Sequence, residues 1–341
     1  MKRIFALTLI LVAAFSFFSC NKEKSSTLLS NWTVVGKSTF SSSDSIYDIA
    51  YGNNRFAAVG WPGKISYSDD GTTWAAVENN PFADAKYITA LAYGNGRFVA
   101  VGWDGKISYS DDGLIWTAVI NSTFGTSHIT VIIYVDNRFI AGGWDGKIAY
   151  SSDGVTWSAM ANNIFGVSGR NAGHDGKIHA LAFGNGRFVA VGVSGRIAYS
   201  DDGIAWTAVA NRIFNRRFEN ISSIAYGKIS GAHKGRFVIV GGIPESGRIA
   251  YSDDGITWTA VTPNFFDASF ISAIGYVNNL WIVGGVEDGK MAYSKDSVTW
   301  NAVHNNAFGT SSIRGFAYNG SRLVAIGGDG KIAWCDWLEV E

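Results

Sequence analysis

The sequence predicts an all-β fold: a seven-bladed β-propeller of four-stranded antiparallel blades, closed by its N-terminal strand. Three observations carry this. A heptapeptide, Ser68-Asp69-Asp70-Gly71-Thr72-Thr73-Trp74, recurs along the chain. Its tryptophan falls at Trp32, Trp74, Trp116, Trp157, Trp206, Trp258 and Trp300, so successive units are 41 to 52 residues long. Composition agrees: 41 Gly against 4 Pro, with 14% aromatics, is what many short strands joined by tight glycine turns require.

Each unit reads as four strands, and the second shows why. Tyr87 to Tyr93 is apolar and β-branched, which suits strand A. Gly94-Asn95-Gly96 tolerates positive φ and makes a hairpin. Arg97 to Val101 is strand B, Gly102-Trp103-Asp104-Gly105 a second turn, and Lys106 to Ser110 strand C. The acidic box turns the chain again into strand D, Trp116 to Val119. One such sheet cannot bury both faces, but seven packed around an axis can. Strand A begins at Ile46, Ile88, Ile129, Ile178, Ile221, Ile271 and Ile313. The phrase Trp32 to Val35 precedes the first of these and has no blade of its own. It is expected to complete the last blade beside Lys331 to Trp334, with Trp337 to Val340 competing for the same place.

The first twenty residues stand outside the repeats. Lys2 and Arg3 precede an apolar run from Ile4 to Phe18, too short for a comfortable membrane span and right for an export signal. The run ends at Ser19-Cys20, which resembles the lipobox of bacterial lipoproteins, with Phe17 where Leu is usual. The resemblance implies acylation at Cys20; plain secretion is the alternative. The expected organisation is a signal over 1–20, a solvated tether over 21–30 and the propeller over 31–341. The protein is then exported to the cell envelope and lipid-anchored, at the outer membrane or cell surface. Cys335 is the only other cysteine, so no internal disulfide is expected, and 47% apolar residues must supply the core. Balanced charge, 28 basic against 28 acidic, argues against nucleic acid. A monomer is expected, touching membrane only through its anchor.

The phrase Asp69-x-Gly71-x-Thr73-Trp74 resembles the Asp-box, or BNR, repeat of sialidase-like and photosystem II assembly-factor propellers. That resemblance covers all seven units. It implies that the boxes lie on the face opposite a ligand site, and a scaffold role is expected: Asp caps its turn and Trp packs between sheets. An Arg opens strand B in six units (Arg55, Arg97, Arg138, Arg187, Arg236, Arg322), placed to pair with box carboxylates.

A ligand is therefore expected at the opposite face, around the D–A and B–C connections. Positions that differ between repeats are the informative ones, because scaffold demands are the same in every blade. Trp61, Trp103 and Trp144 occupy B–C turns, the last two beside Asp104 and Asp145. They are either a sugar platform or fillers between blades. The second position of strand A runs Tyr47, Thr89, Thr130, His179, Ser222, Ser272, Arg314. His179 and Arg314 could hold an anion there or simply line the channel. Arg212, Arg216 and Arg217 in the connection into blade five form a basic cluster suited to a carboxylate or sulfate, or are solvated loop charge. A glycoside hydrolase needs two facing carboxyl groups. Asp48, Asp84, Glu219 and Glu245 are available, with nothing to single out a pair, and the Arg-Ile-Pro signature of sialidases is absent. No cofactor or metal motif is present. The reading is a non-catalytic binding propeller for a glycan or protein, with a sialidase-like hydrolase or an envelope assembly factor as alternatives.

Overall fold

A computed structural model describes residues 29, 31–82, 87–161, 164–165, 176–214, 219–229, 234–262, 266, 269–286, 289–304 and 307–337. They form seven four-stranded antiparallel sheets arranged as the blades of a propeller. In blade 1, strands A to D are Ser45–Gly52, Arg55–Trp61, Lys64–Ser68 and Ala75–Ala76. Strand A of blades 2 to 7 spans Ile88–Gly94, Ile129–Val135, Ile178–Gly184, Asn220–Lys228, Ile271–Val277 and Ile313–Tyr318. Among the described residues helix is confined to three single 3-10 turns, such as Trp103–Gly105.

The ring closes through the N-terminus. Blade 7 consists of Ile313–Tyr318, Arg322–Gly327, Ile332–Asp336 and, as its outermost strand, Thr33–Val34. Thr33 pairs with Trp334 and Val34 with Ala333, and the Val35 N–H donates to the Ile332 carbonyl at 2.9 Å. Trp337 instead stays half-buried, edge-on to Tyr318.

The A–B hairpins follow from their turn residues. Asn53-Asn54, Asn95-Gly96, Asp136-Asn137, Asn185-Gly186 and Asn278-Asn279 all have positive φ at both positions. That is the geometry whose twist matches the flanking strands. Packing between blades is repetitive too. Seven apolar clusters each join two neighbouring blades. A Tyr near the end of one strand A lies against a Gly of the preceding blade: Tyr93 on Gly52, Tyr134 on Gly94, Tyr226 on Gly184, Tyr276 on Gly227. Below each D–A connection a phenylalanine is buried: Phe40, Phe82, Phe124, Phe165, Phe214, Phe266 and Phe308.

The acidic boxes are turn caps. Asp70 accepts the N–H groups of Thr72 and Thr73 at 2.7 and 2.8 Å, and the hydroxyl of Ser68. Ser68 in turn accepts the Gly71 N–H, and the Trp74 indole donates to the Gly71 carbonyl. The capping carboxylate is thus the second Asp of the pair. Six boxes use it, and in each this carboxyl is held below the usual range by those donors, against a desolvation that works the other way where the Asp is partly buried. The first Asp meets the strand-B arginine: Arg55–Asp69, Arg97–Asp111, Arg187–Asp201, Arg236–Asp253 and Arg322–Asp336 lie at 2.6–2.7 Å. Each arginine also donates to the carbonyl of the capping Asp one blade further on, as Arg55 to Asp112 and Arg97 to Asp153. Arg322 makes the same link from blade 7 to Asp70 of blade 1. Blade 6 has Leu280 in place of the arginine, and makes no such link to blade 7.

Candidate functional site

The opposite face is built around the start of strand A. In every blade the A–B register slips across the residue after the leading Ile of strand A, as at Ile46/Asp48 and Ile88/Ala90. Such a bulge leaves its extra residue unpaired and re-aims its side chain. Here that is the variable second position. Thr89 donates to the Ile129 carbonyl of the next blade at 2.6 Å, and Ser222 to that of Ile271 at 2.6 Å. Thr130 and Ser272 bond to Ile178 and Ile313 in the same way. His179 does the equivalent through Nδ1, 2.8 Å from the Ile221 carbonyl. Only a protonated Nδ1 can make that bond, so the neutral ring is a staple between blades 4 and 5. Burial and the nearby Lys177 charge push its pKa down to about 4.

Blades 7 and 1 break the pattern. Arg314 lies over the ring of Tyr47 at 5.0 Å, and its Nε donates to Ser312 at 3.2 Å. Tyr47 leads to Tyr87, centroids 6.0 Å apart. Tyr87 stacks on Trp103 at 3.9 Å, and Trp103 stacks on His128 at 4.5 Å. His128 meets Trp144 edge-on at 4.7 Å, and the Lys177 ammonium lies 5.9 Å from the Trp144 ring. An unbroken arc of rings therefore runs from blade 1 to blade 3 around the channel mouth, with a cation from blade 7 at one end and one from blade 4 at the other. Neither Arg314 nor Lys177 forms a salt bridge with a described residue, although the Asp329 carboxylate is near enough to act on the Arg314 charge. Burial lowers the pKa of both, so each is held partly desolvated.

The two interplanar angles on Trp103, 25° and 16°, show that Tyr87 and His128 both lie parallel to it. Its two faces are covered and only its edge remains to solvent. Asp104 tops this stack. Its own N–H donates to His128 Nδ1 at 3.0 Å, so His128 carries its proton on Nε2. Asp104 and Asp145 sit at positive φ, 56° and 60°, as the tips of their turns. Ser127 donates to Asp145 at 3.0 Å.

Not all expected residues converge here. Trp61 ends strand B of blade 1, with no ring contact among the described residues. Arg212 lies elsewhere, its Nη1 donating to the Ser194 carbonyl at 3.3 Å. Arg216, Arg217, Asp84 and Cys20 lie outside the described residues. Conversely, Tyr87, His128 and Lys177 were not singled out from the sequence. They occupy the position just before the leading Ile of strand A, which reads Ser45, Tyr87, His128, Lys177, Asn220, Phe270, Ser312 around the ring. It varies as much as the second position, and that variation was the available signal.

Three carboxyl groups of this face, those of Asp44, Asp48 and Glu219, are engaged. Glu219, 1% exposed, pairs with Arg248 at 3.2 Å, and Asp44 with Lys64 at 2.6 Å. Asp48 accepts the N–H groups of Ile49 and of Leu91 in the next blade, both at 2.8 Å. Burial in the channel, only partly offset by those bonds, pushes its pKa up to about 7. Among the described residues no group of three or more His, Cys, Asp or Glu is placed to hold a metal.

No family model matches this sequence, and no curated protein does. Solved structures match over nearly the whole chain. YCF48 from Cyanidioschyzon merolae is 17% identical with a TM-score of 0.67, covering 91% of this chain and 99% of that one. A structure described as YCF48 bound to D1 peptide is 15% identical with a TM-score of 0.69, covering 91% and 96%. The WD40 propeller domain of Doa1 is 13% identical with a TM-score of 0.63, covering 92% and 97%. At these identities the likeness is one of fold.

Proposed function

We propose that the chain is a non-catalytic binding propeller whose channel-mouth face takes a protein partner. The observation that carries this reading is the ring arc with Arg314 and Lys177 at its ends. Two desolvated cations that form no salt bridge with a described residue favour an acidic segment on the other side. The covered faces of Trp103 favour a protein over a stacked sugar, since stacking on a sugar needs a free ring face. Edge contacts and pre-stacked aromatics serve as rigid anchors in protein interfaces. A propeller neighbour described with a bound peptide is consistent with this mode. A binding role rather than hydrolysis is supported by the engaged carboxyl groups.

We further propose export and lipid anchoring through Cys20, which would place this face in the cell envelope. Loss of radiolabelled palmitate from a Cys20→Ala variant would test the anchor separately.

The partner test is site-specific photo-crosslinking in cells from position 104, read by mass spectrometry. One dominant adduct, lost in a Lys177→Glu/Arg314→Glu variant that remains folded, is the expected result. A glycan array run alongside with Trp103→Ala covers the sugar alternative. Array binding that depends on Trp103, with no protein adduct, would overturn the reading.

A further inference from the structure

On the outer wall, between blades 4 and 5, lies a groove of about 420 Å³. Tyr199 and strand D of blade 4 (Thr207–Ala208) make one side, and Ile256, Thr257 and Trp258 of the blade 5 box make the other. Residues 209–213 close its end, with Asn211 and Arg212 among them.

Three features mark this seam. Its lining runs on past strand D through Ala210, whose methyl side chain is too small to bridge the gap. Trp74, Trp116, Trp157 and Trp206 each donate their indole N–H to the glycine carbonyl of their own box. Trp258, like Trp300, makes no such bond, and its ring is less buried than the first three. Finally, Arg212 is the only charged side chain of the lining, and no carboxylate faces it there. It spends one donor on the Ser194 carbonyl and has no acidic partner among the described residues.

We infer that this groove binds an acidic sugar of the uronic-acid class, at a site separate from the channel mouth. Arg212 pairs with the carboxylate, where a guanidinium fork matches two oxygens. The rings of Trp258 and Tyr199 supply apolar surface for the sugar face, and Thr207, Asn211 and Thr257 meet its hydroxyls. The combination of a few polar groups on an aromatic-lined concavity is what small-ligand sites share.

The test is ligand-observed NMR of the full-length chain with sodium glucuronate and with glucose. Glucuronate should bind, and glucose about tenfold more weakly, the usual margin of a charge-assisted pair. Arg212→Gln should erase that difference. Ala210→Ile, which adds bulk at a lining position, should weaken both sugars by roughly tenfold or more by narrowing the groove. Trp103→Ala at the channel mouth should change neither. Absence of glucuronate binding by the wild type, or binding untouched by Ala210→Ile, would overturn the inference. So would binding of tetraglutamate in place of glucuronate, which would make the groove a seat for an extended polypeptide along strand D.

Discussion

Two groups in the central channel titrate in opposite directions over the same pH range, and this can be measured. Asp48 has an ordinary pKa of 3.8 in the unfolded chain and about 7 in the fold. Between those values the unfolded chain has released a proton that the folded protein keeps, so stability falls as pH rises. The span corresponds to about 4 kcal/mol at 1.36 kcal/mol per pH unit. His179 goes the other way, from 6.5 unfolded to about 4 folded. Below 6.5 the unfolded chain takes up a proton that the folded ring refuses, so stability is lost as pH falls, by about 3 kcal/mol in all. Both side chains touch channel solvent, which makes these figures upper limits. Wild-type stability from pH 4.5 to 7 should therefore be nearly flat, because the two contributions cancel to within about 1 kcal/mol. Asp48→Asn should unmask a rise with pH of about 3 kcal/mol, and His179→Thr a fall of similar size. Threonine is the choice at 179 because Thr89 and Thr130 already make the same interblade bond. Urea unfolding at half-unit pH steps is the assay. Variant profiles parallel to wild type would refute the argument.

Three further outcomes follow from the scaffold. Trp32→Ala, which empties a buried site in the closing strand, should cost about 3–5 kcal/mol, while Trp337→Ala should cost under about 1.5, as compared by urea midpoints. The reverse ranking would mean that the C-terminus closes the ring. Gly94→Ala forces a methyl into the Tyr134 ring and should destabilise by about 1–3 kcal/mol, whereas Gly96→Ala, with open space around it, should show only the strain of its positive φ. Calorimetry ranks the two. Finally, capping carboxylates held below 3.8 stabilise the fold above that pH, and the gain disappears as pH falls toward their folded values, about 2 for Asp153. Asp153→Asn should therefore shallow the acid limb between pH 4 and 2; an unchanged limb would show that the cap does not matter there.

The architecture was legible because its determinants are local and repeated. Asn-Gly and Asn-Asn pairs state their hairpins, and the boxes state their turns. The closing strand was legible by arithmetic: one Trp phrase was left over at one end, and a place was vacant at the other. Within the box, however, the sequence comparison weighted Asp69, while the donors converge on Asp70. A linear pattern cannot distinguish two adjacent carboxylates whose roles differ by direction of side chain. The seven buried phenylalanines each follow a repeat tryptophan by eight residues, as Phe40 follows Trp32 and Phe308 follows Trp300, so they were as legible as the tryptophans themselves. The site was harder. Trp103, Trp144 and Arg314 were marked by their departure from the repeat, yet the contacts that join them pass through Tyr87 and His128. Stacking between neighbouring blades joins residues at unequal separations, 40 positions for Tyr47 and Tyr87 but 25 for Trp103 and His128, and no period in the sequence encodes it.

The missing arginine of blade 6 has a mechanical meaning. The six interblade links form an open chain with its gap between blades 6 and 7, and blade 7 is the blade whose outermost strand comes from the far end of the polypeptide. A pull on the N-terminus loads that two-residue strand first. Its antiparallel pairing to Ile332–Asp336 then opens one bond after another, as a zip does, and not all together in shear. Blade 7 would next part from blade 6, where no arginine spans the seam, while Arg322 still holds it to blade 1. The weakest tooth of the ring and the point where the chain enters it coincide, so traction there unwinds the propeller from one defined edge.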